Sequence, residues 1–183
     1  MKITILTVGK VKEKYFTGAI QEYSKRLSRY CKLEIKEKFL RDAIAEYSKR
    51  LSKYCKLEII EVADEKTPDH ASEREEELIR RKEGERLAKY IREDAYVIAL
   101  AIEGKQMPSE AFAKKLDRLG IEGKSHIIFI IGGSIGLDPD ILQNADELLS
   151  FSQMTFPHQL MRVVLLEQIY RGYRIIHGEP YHK

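Results

Sequence analysis

The sequence predicts an α/β protein built on a mainly parallel sheet with helices on both faces. Apolar runs rich in β-branched residues occur at 1–8, 96–102 and 127–131, the pattern of strands that are buried on both sides. Segments with the apolar spacing of helices alternate with these runs. In such a sheet, ligands are expected at the carboxyl ends of the strands.

Composition is consistent with one globular domain of 183 residues, of which 43% are hydrophobic and 33% charged. The net charge of +3 is mildly basic, which is compatible with an RNA partner but does not require one. No apolar stretch is long enough to cross a bilayer, and the first residues do not form a secretion signal. We therefore expect a cytoplasmic protein without a membrane partner.

The first strand, 1–8, ends at Gly9 and is followed by a tandem duplication. Residues 12–35 and 36–59 are two copies of one 24-residue unit, identical at 18 of 24 paired positions. Two copies are too few for a solenoid, which needs about three repeats. Cys31 and Cys55 occupy equivalent positions of the two copies, so we interpret them as free thiols rather than as a disulfide or a metal pair.

Each copy predicts an amphipathic helix followed by a strand that begins with K-L-E-I. The apolar positions of the helix are Ile20, Tyr23, Leu27 and Tyr30 in the first copy and Ile44, Tyr47, Leu51 and Tyr54 in the second. The second strand continues as Ile60-Glu61-Val62 and is better than the first, which runs into Lys36-Glu37-Lys38. We predict that one copy fills a helix position in the core and that the other is additional. The sequence leaves open which copy does so, and the origin of the duplication.

The middle of the chain alternates polar and buried segments. Residues 63–72 predict a loop, and residues 73–90 predict a highly charged helix with a sparse apolar face of Leu78, Ile79 and Leu87. The strand at 96–102 ends in Glu103-Gly104-Lys105. Ser109 then begins a helix that continues to Leu119.

A glycine-rich loop follows the strand at 127–131. Its glycines are Gly132, Gly133 and Gly136, and Asp138-Pro139 then supplies an N-cap and a first helical residue. The G-G-x-x-G spacing is neither a dinucleotide fingerprint nor a P-loop, so a tight turn and a ligand loop are both compatible with it. The first strand also lacks G-x-G-x-x-G, which argues against a nucleotide-dependent oxidoreductase.

The last third adds a short apolar run at 148–152 and a helix from His158 to Tyr173, opened by Pro157. His158 and Arg162 are four residues apart and therefore neighbours on the surface of this helix. They lie near its N-terminus, where backbone N–H groups favour anions. Both residues are therefore candidates for contact with a substrate.

Three motifs in this order resemble one known family. FIIGGSIGL, LSFSQMTFPHQLMRVVLLEQIYR and the terminal GEPYHK, with MKITILTVGKVKEKY and VIALAIEGK, are similar to those of the RlmH-type (YbeA-like) ribosomal RNA methyltransferases of the SPOUT class. The resemblance covers the chain apart from one duplicated copy. It implies a single domain over 1–183 with a C-terminal trefoil knot, which periodicity alone would not suggest.

The resemblance implies transfer of a methyl group from S-adenosylmethionine to N3 of a pseudouridine in helix 69 of 23S ribosomal RNA, by a homodimer acting on the ribosome without a metal. The implied cofactor-binding residues are Leu100, Gly132, Gly133, Gly136, Phe151, Ser152, Gln153, Met154, Thr155 and Phe156. The candidate catalytic residues are His158, Arg162, Tyr181 and His182, with the proton acceptor left open. A non-catalytic RNA-binding protein, inactivated by the duplication, is the alternative.

Overall fold

A five-stranded parallel sheet forms the centre of the protein. The computed structural model describes residues 2–8 and 39–180, of which 2–8 and 39–42 are described by their backbone alone. The strand order is β2-β1-β4-β3-β5, and every neighbouring pair is parallel. The strands are β1 (Lys2–Val8), β2 (Lys56–Val62), β3 (Tyr96–Lys105), β4 (His126–Ile131) and β5 (Glu147–Leu149).

Helices cover both faces of the sheet. They are α1 (Phe39–Leu51), α2 (Glu73–Ala88), α3 (Ser109–Ile121), α4 (Pro139–Gln143) and α5 (His158–Ile176). On β4, Ile127, Phe129 and Ile131 point into a core shared with α1, α3 and α5. Ile128 and Ile130 point into the opposite core, shared with α2 and α4. The predicted α/β class, the parallel sheet and the helices on both faces are confirmed, while the knot and the extent of the single domain stay predictions.

The second repeat copy, 36–59, supplies α1 and the beginning of β2, which continues past the copy to Val62. Leu51 of α1 is fully buried against α5, and the ring of Tyr54 stacks on that of Tyr173 with centroids 5.4 Å apart. β2 pairs with β1 along its whole length, from Lys56 opposite Lys2 to Val62 opposite Val8. The second copy therefore fills the predicted helix position. The first copy, residues 12–35, lies outside the described residues.

The end of β2 explains why the second copy suits this place. Val62 is buried in the core beneath α2, and Ile60 packs against the same core. Ile60 and Val62 directly follow the second copy, and the residues at the same places directly after the first copy are Lys36 and Lys38. A lysine is rarely buried without a partner, so the core beneath α2 favours the strand that ends in Ile60-Glu61-Val62.

Most predicted elements are confirmed within a few residues. Residues 63–72 form neither helix nor strand, and Cys55 is a buried free thiol whose pKa is raised by burial to about 11. The prediction for Leu78 was wrong, since it is 54% exposed. Ile79 and Leu87 are buried as predicted, and Glu83 takes the place of Leu78 on the core side of α2. Glu83 can be buried there because its carboxylate accepts a hydrogen bond from the backbone N–H of Glu65. In the described part of the chain, every helix is too short or too polar to cross a membrane.

Candidate functional site

The carboxyl ends of β4, β3 and β5 meet at one cavity of about 700 Å³. These three strands are neighbours in the sheet and run parallel, so the loops that leave them emerge at the same edge. The cavity is lined by Leu100 of β3, by residues 131–137 after β4, and by residues 149–152 after β5. The segments that carry the predicted cofactor-binding residues are thus brought together.

The glycine loop makes one wall of the cavity. A Cβ on Gly132 would lie 2.7 Å from the backbone carbon of Gly136, so only glycine fits there. Gly136 has φ of +87°, a conformation that other residues rarely adopt. Its N–H donates to the carbonyl of Gly133 at 3.3 Å and closes the turn. The loop is therefore both a tight turn and a wall of the cavity.

The segment after β5 makes a second wall. The Ser150 N–H donates to the carbonyl of Lys105 at 3.2 Å, and the Met154 N–H donates to Oγ of Ser152 at 2.9 Å. These bonds fix the shape of the segment, together with the bond from Oγ of Ser150 to the carbonyl of Ser152 at 3.0 Å. Every predicted cofactor-binding residue lines the cavity except Gln153, which is exposed.

Two chain segments touch where β3 extends past the end of β5. A Cβ on Gly104 would lie 2.6 Å from the carbonyl carbon of Leu148 and 2.7 Å from that of Leu149. The contact fixes the last residues of β3 against the strand that leads into the second wall. Sequence reasoning passed over Gly104 because nothing local distinguishes this glycine from one in an ordinary turn.

The start of α5 closes the cavity on the side of the first core. His158 is half-buried and lines the cavity, as does Met161 one turn later. The sequence suggested Pro157 as the first helical residue of α5. In the structure it is instead the N-cap, and its side chain makes no capping hydrogen bond. The first backbone N–H groups of α5, beside His158, therefore receive no cap from residue 157.

Arg162 lies apart from the cavity. It is 1% exposed, and its Nη1 donates to Oε1 of Glu61 at 2.5 Å. Burial lowers the pKa of Arg162, and the Glu61 carboxylate opposes that effect. His158 and Arg162 are thus separated: the former faces the cavity, and the latter holds α5 to the end of β2.

Two of the candidate residues, Tyr181 and His182, lie outside the described residues. Within residues 43–180, no three His, Cys, Asp or Glu side chains are placed to hold a metal ion.

A profile of the family described as Predicted SPOUT methyltransferase matches residues 1–38 and 34–182. Together the two matches span nearly all of the chain. It belongs to the SPOUT methyltransferase family. The matches divide at the junction of the two repeat copies, as expected of a SPOUT sequence in which one block is duplicated.

Full-length relatives agree with this assignment. A protein from Bifidobacterium adolescentis named Ribosomal RNA large subunit methyltransferase H is 64% identical over 183 residues and covers 100% of both chains. Proteins of the same name from Clostridium kluyveri and Clostridium beijerinckii are 54% identical over the same length and coverage. With family and relatives in agreement, the chain is a methyltransferase.

One solved structure is similar in outline. A probable methylase family protein from Haemophilus influenzae Rd KW20 has a TM-score of 0.47 and 10% identity, covering 100% of this chain and 70% of that chain. A likeness this weak adds nothing to the SPOUT assignment.

The SPOUT cavity also contains residues that the sequence did not predict. Glu76 and Arg80 reach it from α2, and Ile135, Leu137 and Leu142 reach it from the glycine loop and α4. The i, i+4 spacing of Glu76 and Arg80 was visible, but it equally describes a solvated ion pair on a helix surface. Only the packing of α2 beside the glycine loop shows that Glu76 and Arg80 line the cavity.

Proposed function

We propose that this SPOUT enzyme methylates N3 of a pseudouridine in helix 69 of 23S ribosomal RNA, with S-adenosylmethionine as the methyl donor. The observation that carries the proposal is the cavity at the ends of β3, β4 and β5, in a chain that is 64% identical over its full length to a ribosomal RNA large subunit methyltransferase. A ribosomal substrate would also place the protein in the cytoplasm.

The cavity suits a cofactor of this kind. Its volume of about 700 Å³ lies within the usual range of small-molecule sites. Leu100 and Leu149 offer apolar contacts, and the backbones of Gly132 and of residues 150–156 offer hydrogen-bonding groups. When bound there, S-adenosylmethionine supplies a methyl group made electrophilic by its sulfonium. We expect these residues to hold it in the trefoil-knotted arrangement that the sequence motifs imply.

The target nitrogen carries a proton that must leave as the N–CH3 bond forms. His158 faces the cavity from the first turn of α5, and a neutral imidazole can accept a proton near neutral pH. We assign His158 to substrate handling, together with Tyr181 and His182 of the tail. Arg162 is a positioning residue in this proposal, because it acts through Glu61 on the placement of α5 and does not reach the cavity.

A homodimer is part of the proposal. Met154, Phe156 and Leu160 are exposed apolar side chains at or beside the cavity rim. A second subunit placed on this surface would cover them and could add its tail to the site. Because helix 69 carries many phosphates, binding to the ribosome should weaken steeply with added salt.

Calorimetry with S-adenosylmethionine, light scattering and a methyl-transfer assay on unmodified ribosomes test the proposal together. We expect a dimer that binds the cofactor and labels 23S RNA. Gly132→Ala, which places a Cβ against the backbone of Gly136, should abolish cofactor binding. The matched control Gly123→Ala, at a glycine with open space around it, should not. A folded wild-type protein that binds ribosomes but neither cofactor nor methyl groups would instead be the non-catalytic RNA-binding protein.

A further inference from the structure

Helix α2 contributes two charged side chains to the cavity wall opposite α5. Glu76 and Arg80 are one helical turn apart, and both line the cavity. The side chain of Arg80 is 25% exposed, so much of it is removed from water. Because Arg80 lines the cavity, its guanidinium can bind an anion there.

The pairing of Arg80 inside the protein is weak. Its Nη1 lies 3.4 Å from Oε2 of Glu76, at the long end of the hydrogen-bond range. Arg86 on the same helix is held more firmly, by an ion pair with Glu65 and by the carbonyl of Ala63 at 2.8 Å. A guanidinium has five N–H donors, and the contact with Glu76 uses one of them. Donors therefore remain at Arg80 for a ligand.

The charges around the cavity single out the same residue. Within residues 43–180, Arg80 is the one lysine or arginine that lines the cavity, whereas Glu76 and Glu103 are acidic. The remaining lining is largely apolar side chain and backbone. An anionic group that enters the cavity would find its one arginine or lysine partner among these residues at α2.

We propose that Arg80 binds an oxyanion of the bound reactants. The inference rests on the proposed function, which supplies two oxyanions: the carboxylate of S-adenosylmethionine and a phosphate beside the target nucleotide. Both accept the paired N–H groups of an arginine in the same way. The role is that of a positioning and binding residue, separate from proton transfer.

The test compares Arg80→Gln and Arg80→Lys with the matched control Arg81→Gln. Arg81 is the next residue of α2, its side chain is 73% exposed, and it does not line the cavity. Thermal unfolding establishes that all three variants fold. Calorimetry then measures the Kd of S-adenosylmethionine and of its analogue without the carboxylate, and methylation assays measure KM for ribosomes.

Arg80→Gln should weaken the binding of one of the two reactants by roughly tenfold to a hundredfold, which is the effect of losing a hydrogen bond to a charged group. Weaker binding of S-adenosylmethionine, with no effect on the analogue, identifies the carboxylate. A higher KM for ribosomes at unchanged cofactor Kd identifies a phosphate. Arg80→Lys should recover part of the lost affinity, because lysine keeps the positive charge but lacks the paired N–H donors of the guanidinium. No difference between Arg80→Gln and Arg81→Gln in either measurement overturns the inference.

A separate measurement keeps the inference testable if the proposed function fails. If the wild-type protein binds neither cofactor nor ribosomes, the thermal shift with inorganic pyrophosphate is compared among wild type, Arg80→Gln and Arg81→Gln. Stabilisation that is lost only in Arg80→Gln supports an oxyanion site at Arg80. Equal shifts in all three proteins, or none, overturn it.

Discussion

Arg162 and Glu61, 101 residues apart in sequence, form a hydrogen-bonded ion pair of 2.5 Å that joins helix α5 to the end of edge strand β2. The guanidinium is buried, whereas the carboxylate is 38% exposed. The pair ties the helix that carries His158 to the strand that begins in the second repeat copy. The helix that lines the cavity is therefore held by an ion pair to the strand that continues the second repeat copy.

Glu61→Gln should lower the free energy of unfolding by about 1–3 kcal/mol, because it removes the negative charge that faces the buried guanidinium of Arg162. Urea denaturation at neutral pH measures the change. Glu46→Gln is the control, because it removes an exposed carboxylate paired with Arg50 and should cost less than about 1 kcal/mol. Equal costs for the two variants would contradict a special role for the buried pair.

Val62→Lys introduces the residue that stands at the corresponding place after the first copy, Lys38. Because Val62 is buried beneath α2, we expect the free energy of unfolding to fall by at least about 2 kcal/mol. Ala63→Lys, at the exposed next residue, should stay within about 0.5 kcal/mol of wild type. Similar stabilities for the two variants would mean that Val62 does not select the second copy.

Deletion of either repeat copy should leave a folded protein. Removal of 12–35 or of 36–59 gives a chain in which one helix leads into the same strand, K-L-E-I-I-E-V. We expect the two shortened proteins to differ by no more than about 1 kcal/mol in stability, since the copies differ at few positions. Circular dichroism and urea denaturation provide the comparison, and collapse of one deletion alone would show that the copies are not equivalent.

Gly104→Ala should damage both stability and the cavity. The new Cβ would press on the backbone of Leu148 and Leu149, which cannot move without shifting β5, at a cost of about 1–3 kcal/mol. Cofactor affinity should fall in the same variant, because β5 leads into the second cavity wall. Gly123→Ala pays only for its positive φ, about 1 kcal/mol, and should bind the cofactor normally. Normal binding by both variants would contradict this argument.

Glu83 should give stability a measurable pH dependence. Burial raises the pKa of this carboxyl above its ordinary value of 4.5, although the N–H of Glu65 donates to it. Between the ordinary pKa and the raised pKa, the Glu83 carboxyl is protonated in the folded protein but ionised in the unfolded chain. The folded protein therefore binds more protons, and this residue makes the free energy of unfolding fall as pH rises through that window. In Glu83→Gln that contribution is absent. Urea denaturation from about pH 4.5 to about pH 7.5 should show wild type losing stability relative to the variant, whereas parallel curves would refute the assignment.

The strands and the glycine loop were accessible from the sequence because their signals are local. A run such as Ile127–Ile131 has to be buried on both faces, and glycines directly after it permit a sharp turn. The motifs from Phe129 to the last residue carried the family resemblance for the same reason. The error at Leu78 arose because a sparse apolar face on a charged helix leaves the direction of the core ambiguous.

Partners distant in sequence could not be predicted in this way. The carboxylate of Glu61 meets Arg162 only because β2 ends beside α5, and Arg80 reaches the cavity only because α2 packs next to the glycine loop. Spacing along a helix cannot distinguish a solvated pair from one that lines a site.

By itself, the sequence determined the class of fold, the order of most elements, the glycine loop and the family, because each depends on residues close together in the chain or on a recognisable motif. The tertiary structure decided that the second repeat copy occupies the core, that Arg162 is turned away from the cavity, and that α2 supplies its one described cation. Those outcomes depend on which side chains are buried together when the strands are assembled, and burial is a property of the packed molecule.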